Sequence, residues 1–366
     1  MSCLLCAAKS RGLPFMKISV VIPVFNSSKL LKETLRAISS GSRATDELIV
    51  VDDCSTDDSA AIAEQFGAHV IVMPENVGPA ACRNHAALFA NGDILVFLDA
   101  DTCVHSDTLE RIHQHLVTDP SLTAIIGSYD DTLSDPGLCS QYRNLAHCYV
   151  HHSANRSALT FWSGCGAVRR TAFIEAAGFD ERYRRPSIED IEFGYRITDS
   201  GARILLDPEV YVTHTKRWTL SNSIRTDVFD RGIPWMVLLL ERRRMPNDLN
   251  LKKRHRIATA LTGAALLCLA FAIRSTSWIL PSLVLAALAL CMDIALLNFI
   301  YRKRGLKLAV VAAGMTLIQN ICKLIAAIAG PLVFIARLHP YYHSRRGVRR
   351  SRILPETTVG AQPTNH

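Results

Sequence analysis

Four apolar runs between Lys17 and Asp101 alternate with three stretches of helical spacing, and three of them stop at polar or acidic residues. "KISVVIPVF" reads as a buried strand, and "SKLLKETLRAISSG" carries apolar residues at helical spacing and closes on Gly41. "DELIVVDD" is a second strand, followed by a helix from about Thr56 to Phe66 that stops at Gly67. "AHVIVM" is a third strand, "GPAACRNHAALFANG" a helix closing on Asn-Gly, and "DILVFLDAD" the fourth strand. Strand–helix alternation with short connections predicts an α/β fold around a parallel, doubly wound sheet. In such a sheet ligands bind beyond the carboxyl ends of the strands. "PVFNSS", "DDCSTDD" and "DADT" all fall at those ends, so one common site is expected.

Asp99 and Asp101 close a strand made of Val96, Phe97 and Leu98. Carboxylates are costly to bury unpaired, so something must hold them. The helix expected over "DTCVHSDTLERIHQHL" takes its cap from Ser106, which leaves both acids for another role. The first strand is followed by no G-x-G-x-x-G, and G-x-x-x-x-G-K-[ST] is absent from the chain. A nucleoside diphosphate bound here needs its charge neutralised by other means, and a divalent cation, Mg²⁺ or Mn²⁺, held by these carboxylates meets that need.

Five stretches, in order, resemble the glycosyltransferase family 2 catalytic domain of GT-A fold: "SVVIPVFN", "ELIVVDDCSTDDS", "NVGPAACRNHAALFANGDILVFLDADT", "SGCGAVRRTAFIEAAGFDE" and "IEDIEFGYRITDSGARILLDPEVYVTH". They cover about Lys17 to His214. The resemblance implies a transferase that moves a sugar from a nucleotide-diphosphate donor, UDP-type favoured. It places Pro23, Phe25, Asp52, Arg83 and Asp99 at the donor. The Phe25 ring is equally compatible with a place in the core, and Asp53 is assigned no role. Asp101 takes the metal, joined by His214 where that strand-end histidine is more than structural. Gly164 and Glu189 belong to the acceptor region, and Asp190 is the general base for an inverting, single displacement. Processive synthases carry Q-x-x-R-W after the E-D motif, whereas this chain has "HTKRW", so transfer of one sugar is expected.

Beyond Asp248 the only acids are Asp293 and Glu356, while Lys and Arg crowd 242–256, 302–307 and 337–352. Basic blocks beside apolar runs point to a lipid bilayer rather than nucleic acid, for which no aromatic-rich face is present. The expected plan is a tail over 1–15, with Met1 or Met16 as the start, and a catalytic domain over 16–218. An interfacial segment over 219–256 follows. There Arg231 reaches either the diphosphate, as in related membrane enzymes, or lipid headgroups. A membrane region over 257–335 comes next, with spans at 257–273 and 277–300, and then a basic tail over 336–366. The third apolar stretch, 307–335, crosses, re-enters or lies at the interface, because one more crossing would put the basic tail outside. These features predict a multi-pass protein of the cell (inner) membrane with its catalytic domain on the cytoplasmic side, acting on a lipid-linked or membrane-proximal glycan. A polyprenyl-phosphate sugar transferase is the alternative, and a catalytically silent nucleotide-sugar-binding scaffold the alternative of another class. The eleven cysteines show no repeated spacing, and Cys3-x-x-Cys6 has no second pair to complete a zinc site, so free thiols are expected.

Overall fold

A computed structural model describes residues 16–248 and 251–336. The expected tail over 1–15, with Cys3, Cys6 and the choice of start, lies outside the described residues, as does the basic tail beyond Ala336.

The sheet grows from β1 (Ile18–Val24), which pairs in parallel with β2 (Glu47–Asp52) and β4 (Ile94–Leu98), while β3 (His69–Val72) pairs in parallel with β2. Helices α1 (Ser28–Ser39), α2 (Ser59–Gln65) and α3 (Pro79–Phe89) connect these strands. Proline within a central strand is normally excluded because it lacks a ladder donor. Pro23 is tolerated because pairing with β4 stops at Val21, leaving only the β2 side.

The second half of the sheet departs from the expected continuation. Past Asp101 the chain forms a short strand, β5 (Thr102–Val104), before α4 (Thr108–Thr118), which starts without a side-chain cap. Ser106 therefore does not cap it; its carbonyl accepts from Ser42 instead. There follow β6 (Ala124–Tyr129), α5 (Leu138–His152), β7 (Ser157–Ala158), β8 (Cys165–Arg169), α6 (Arg170–Glu175), α7 (Glu189–Asp199) and β9 (Ile204–His214). The strand order is β3-β2-β1-β4-β8-β6-β9-β5, with β8 antiparallel to both β4 and β6, and β5 antiparallel to β9. The parallel core is as expected. β9 keeps the sense of the parallel core, pairing in parallel with β6, whereas β5, β7 and β8 run against it, pairings that local periodicity does not encode.

Two glycines are dictated by close approach. Gly78 precedes α3 at φ +92, and a Cβ there would lie 2.2 Å from the Arg184 carbonyl oxygen. Gly194 sits inside α7, where a Cβ would lie 2.0 Å from the Phe161 backbone nitrogen. Gly194→Ala is expected to destabilise the domain by about 3 kcal/mol, the upper range for overpacking against backbone. Urea unfolding of the two proteins checks this, and equal midpoints would show that α7 does not seat as described.

After β9, a capping box (Thr219 with Asn222) starts α8 (Leu220–Arg225), which runs into a π-helical turn (Thr226–Gly232) and α9 (Ile233–Arg242). The expected interfacial segment thus contains three consecutive helical pieces, the last ended by Arg243 at φ +51. Next come α10 (Lys253–Phe271), α11 (Ile279–Met292) and α12 (Ile294–Ala336), the last kinked at Gly305, φ +79. The expected span at 277–300 is broken at Asp293. That carboxylate is buried 3.1 Å from His255 at the start of α10, which pins the base of an α10–α11 hairpin. Among the described residues only α12 is long and apolar enough to cross a membrane, and α11 falls short. The described cysteines are all free thiols.

Candidate active site

The loop between β4 and β5 is a tight turn in which the Thr102 N–H (3.1 Å) and hydroxyl (2.8 Å) both donate to the Asp99 carbonyl. The Asp101 carbonyl in turn accepts from the Thr215 N–H (2.9 Å) and hydroxyl (3.0 Å), so the acid pair is strapped to the end of β9. That strap brings Asp101 to His214, whose Nε2 stands 3.7 Å from the carboxylate.

His214 is held on its other side by Asn144 of α5. The Asn144 Nδ2 donates to the His214 carbonyl (3.3 Å), which turns its Oδ1 to the ring Nδ1 at 2.9 Å. Nδ1 therefore carries a proton, and Nε2 is the atom turned to Asp101. Tyr129 stacks on the ring at 4.5 Å and 13°, fixing its plane. Burial pushes the Asp101 carboxyl up, but the bond and charge of His214, with Lys216, outweigh it and hold it below its ordinary value. Among the described residues no three His, Cys, Asp or Glu side chains converge as a ligand set. Asp101 and His214 are the residues that could hold a cation here, a candidate two-ligand half-site whose shell substrate and water oxygens would complete.

Arg83 is buried and bridges two acidic motifs, with Nη2 2.6 Å from Asp99 and Nη1 3.2 Å from Glu189. Both Nη groups of the guanidinium are thus engaged by carboxylates, while its buried Nε has no hydrogen-bond partner among the described residues. Burial, then the neighbouring Asp190, pushes the Glu189 carboxyl up to about 7 against the pull of Arg83. Asp190 opens α7 beside it, where one oxygen accepts from the Ser163 N–H (3.1 Å) and the other from the Ile191 N–H (2.7 Å). Its carboxyl is also raised, by burial first, against the Ser163 N–H and the charges of Arg231 and Arg83. Arg231 lies on the π-helical turn, exposed and without an ion-pair partner among the described residues.

The other sequence-derived positions fall around this centre. Pro23 is the half-buried penultimate residue of β1, and Phe25, just beyond the strand, is 49% exposed, so its ring is not a core ring. One oxygen of Asp52 accepts from the Ser55 N–H (3.1 Å), closing the turn after β2. Asp53 uses both oxygens on the Val77 and Gly78 N–H groups (2.7 and 2.9 Å), holding the loop before α3. The Gly164 carbonyl accepts from the Thr102 hydroxyl (3.2 Å), and the residue lies against the Trp162 ring. Sequence reasoning missed Asn144, Tyr129 and Ser163. Ser163 stands one residue from Gly164 in a quoted stretch, whereas Asn144 and Tyr129 lie outside every motif.

Residues 19–176 match the family model described as Glycosyl transferase family 2. This stretch is a glycosyltransferase family 2 domain. The family 2 domain is similar to a poly(ribitol-phosphate) beta-glucosyltransferase of Bacillus spizizenii, 39% identical over 104 residues (26% of this chain and 16% of that protein). It is also similar to a pre-mycofactocin glycosyltransferase of Mycobacterium tuberculosis, 26% identical over 229 residues (59% and 46%). The chain thus spans less than half the length of these relatives. Among solved structures, a mannosyltransferase of Pyrobaculum calidifontis in complex with GDP-Man and Mn²⁺ aligns with TM-score 0.48 and 20% identity, over 90% of this chain and 93% of that one.

Proposed function

We propose that the chain is an inverting, metal-dependent glycosyltransferase anchored at a membrane, moving one sugar from a nucleotide-diphosphate donor to a hydroxyl of a lipid-linked or membrane-proximal glycan. The observation that carries this reading is the junction made by Arg83, which places the Asp99/Asp101 turn and the Glu189-Asp190 helix start around one centre at the carboxyl ends of β1, β2 and β4. Pro23, Phe25 and Asp52 line the nucleotide end, and Asp101 with His214 would hold Mg²⁺ or Mn²⁺. When bound, the cation neutralises the departing diphosphate. Asp190 takes the proton of the acceptor hydroxyl as the oxygen attacks the anomeric carbon. Asp99 and Glu189 anchor Arg83, which keeps the donor and acceptor halves in register. Screening the full chain against nucleotide sugars with Mn²⁺, by donor hydrolysis and thermal shift, tests the reading. Stabilisation without hydrolysis or transfer would favour the silent nucleotide-sugar-binding scaffold, and no stabilisation by any of them would reject both.

The exposed, unpaired Arg231 favours a second reading, a polyprenyl-phosphate acceptor. Its charge acts on Asp190, where an anionic acceptor would meet it. A phosphate nucleophile needs no general base, so the two readings differ in what Asp190 does.

Asn144 supplies a separate check on the metal half-site. Replacement of groups that orient a ligating histidine typically costs 10–100-fold in metal affinity. Asn144→Leu is therefore expected to weaken Mn²⁺ binding by about 10–100-fold, read by electron paramagnetic resonance of Mn²⁺ without substrate, and Asn144→Asp to restore most of it. If His214→Ala itself leaves Mn²⁺ affinity unchanged, the histidine is structural and Asn144 has no ligand to orient.

A further inference from the structure

From its kink to its C-terminal part α12 is held against the rest of the protein, although among the described residues it alone has the length and apolarity of a span. At one end Lys303 pairs with Asp131 at 2.6 Å, and Arg304 donates to the Asp131 carbonyl. Leu308, Ala312 and Met315 then share a core with Tyr142 and Leu145 of α5. One turn on, the Tyr142 hydroxyl donates to Gln319 at 2.8 Å, with Thr316 and Asn320 buried on the same side. Towards the other end Ala326 lies against Gly232 of the π-helical turn, and Gly330 against Met236 of α9. That helix is itself packed on the domain, through Leu238 and Leu239 against Tyr183, Ile188 and Tyr195.

From Leu308 to Gly330 the helical rise is about 33 Å, as long as the hydrocarbon core is thick. A spanning helix would have to place that whole length in lipid, and here it packs on α5 over its first half and on the π-helical turn, α9 and α10 over its second. We propose that α12 beyond Gly305 lies in the plane of one leaflet as the floor of the catalytic domain, and that only the α10–α11 hairpin enters the hydrocarbon. This rests on the membrane-anchored reading and assigns its geometry.

Exposure and charge agree with that arrangement. The face of α12 turned from the domain exposes Val310, Ile325, Ile328, Leu332 and Ile335. The hairpin exposes apolar side chains along both helices, among them Leu267, Phe271, Leu280 and Leu283. Exposed cations sit where each helix meets the domain: Arg243 after α9, Lys253 at the start of α10, and Arg302 and Lys307 around Gly305. An apolar face edged by cations is the signature of a helix lying in an interface, and it fits a leaflet of anionic lipid.

The test uses the full chain in oriented membrane vesicles, with an impermeant maleimide and labelling read peptide by peptide. Exposed Cys54, beyond β2, reports the side of the catalytic domain. Lys307→Cys and Ala336→Cys are each expected to label from the Cys54 side. Protection of Ala336→Cys from that side overturns the inference, because a spanning α12 places it across the bilayer. Release of the native chain from vesicles by alkaline carbonate is a different failure: it removes the anchor itself, and the inference with it.

Discussion

Asp101→Ala is expected to abolish cation-dependent binding of a nucleoside diphosphate while leaving a cooperatively folded protein. The fold survives because the backbone strap does not depend on the side chain: the Asp101 carbonyl still accepts from Thr215, and Thr102 still closes the turn on Asp99. Binding is lost because the carboxylate is one of only two side chains in the half-site, the other being His214. Since an orienting partner alone accounts for about 10–100-fold, removing a direct ligand is expected to cost more than about 100-fold. Calorimetric titration of UDP with and without Mn²⁺ measures it, with thermal unfolding as the control for folding. Native affinity that persists in the presence of a chelator would show that cations on the chain, Lys216 and Arg231 among them, neutralise the diphosphate without a metal.

Asp190→Asn is expected to lower transfer by about 10²–10⁴-fold with donor affinity nearly constant, the range for loss of a general base. Both Asp190 oxygens accept backbone N–H groups, so the new amide turns an NH₂ towards a donor. That conflict costs about 1–3 kcal/mol of stability, and unfolding must be measured beside activity. The pH profile separates chemistry from structure. Asp190 acts as base only when ionised, and its carboxyl is raised by burial. Native transfer is therefore expected to rise with pH through that raised value, and the limb to disappear in Asp190→Asn. Full transfer by the variant, with chemistry limiting, would leave Asp190 as a helix-start carboxylate and turn the assignment to the phosphate acceptor.

Glu189→Gln is not the mild control that a purely local role would make it. Its carboxylate holds Arg83 and accepts the Ser187 N–H at 2.9 Å, so its loss loosens the bridge to Asp99. Glu192→Gln, whose partner is Arg196 one turn along α7, is the better control.

The strands, their acidic ends and the separation of a nucleotide-type domain from an apolar, basic-flanked region were determined by the sequence alone. Periodicity and turn residues act over a few positions, and a parallel α/β sheet brings successive strand ends together without further instruction. The positions of Asp52, Asp99 and Asp101 at or just beyond strand ends were legible for that reason. The ion pairs of Arg83 were not: its partner Glu189 is 106 residues away, and no local pattern announces a guanidinium buried between two carboxylates. Asn144 lies 70 residues from the ring it orients, and its neighbours in the chain carry no trace of that contact. The lie of α12 is of the same kind. Length and hydropathy describe a helix equally suited to crossing or to lying flat, and the proposed in-plane placement rests on its packing against α5 and α9. Such contacts depend on which faces meet after the chain has folded back on itself, and no local pattern encodes that.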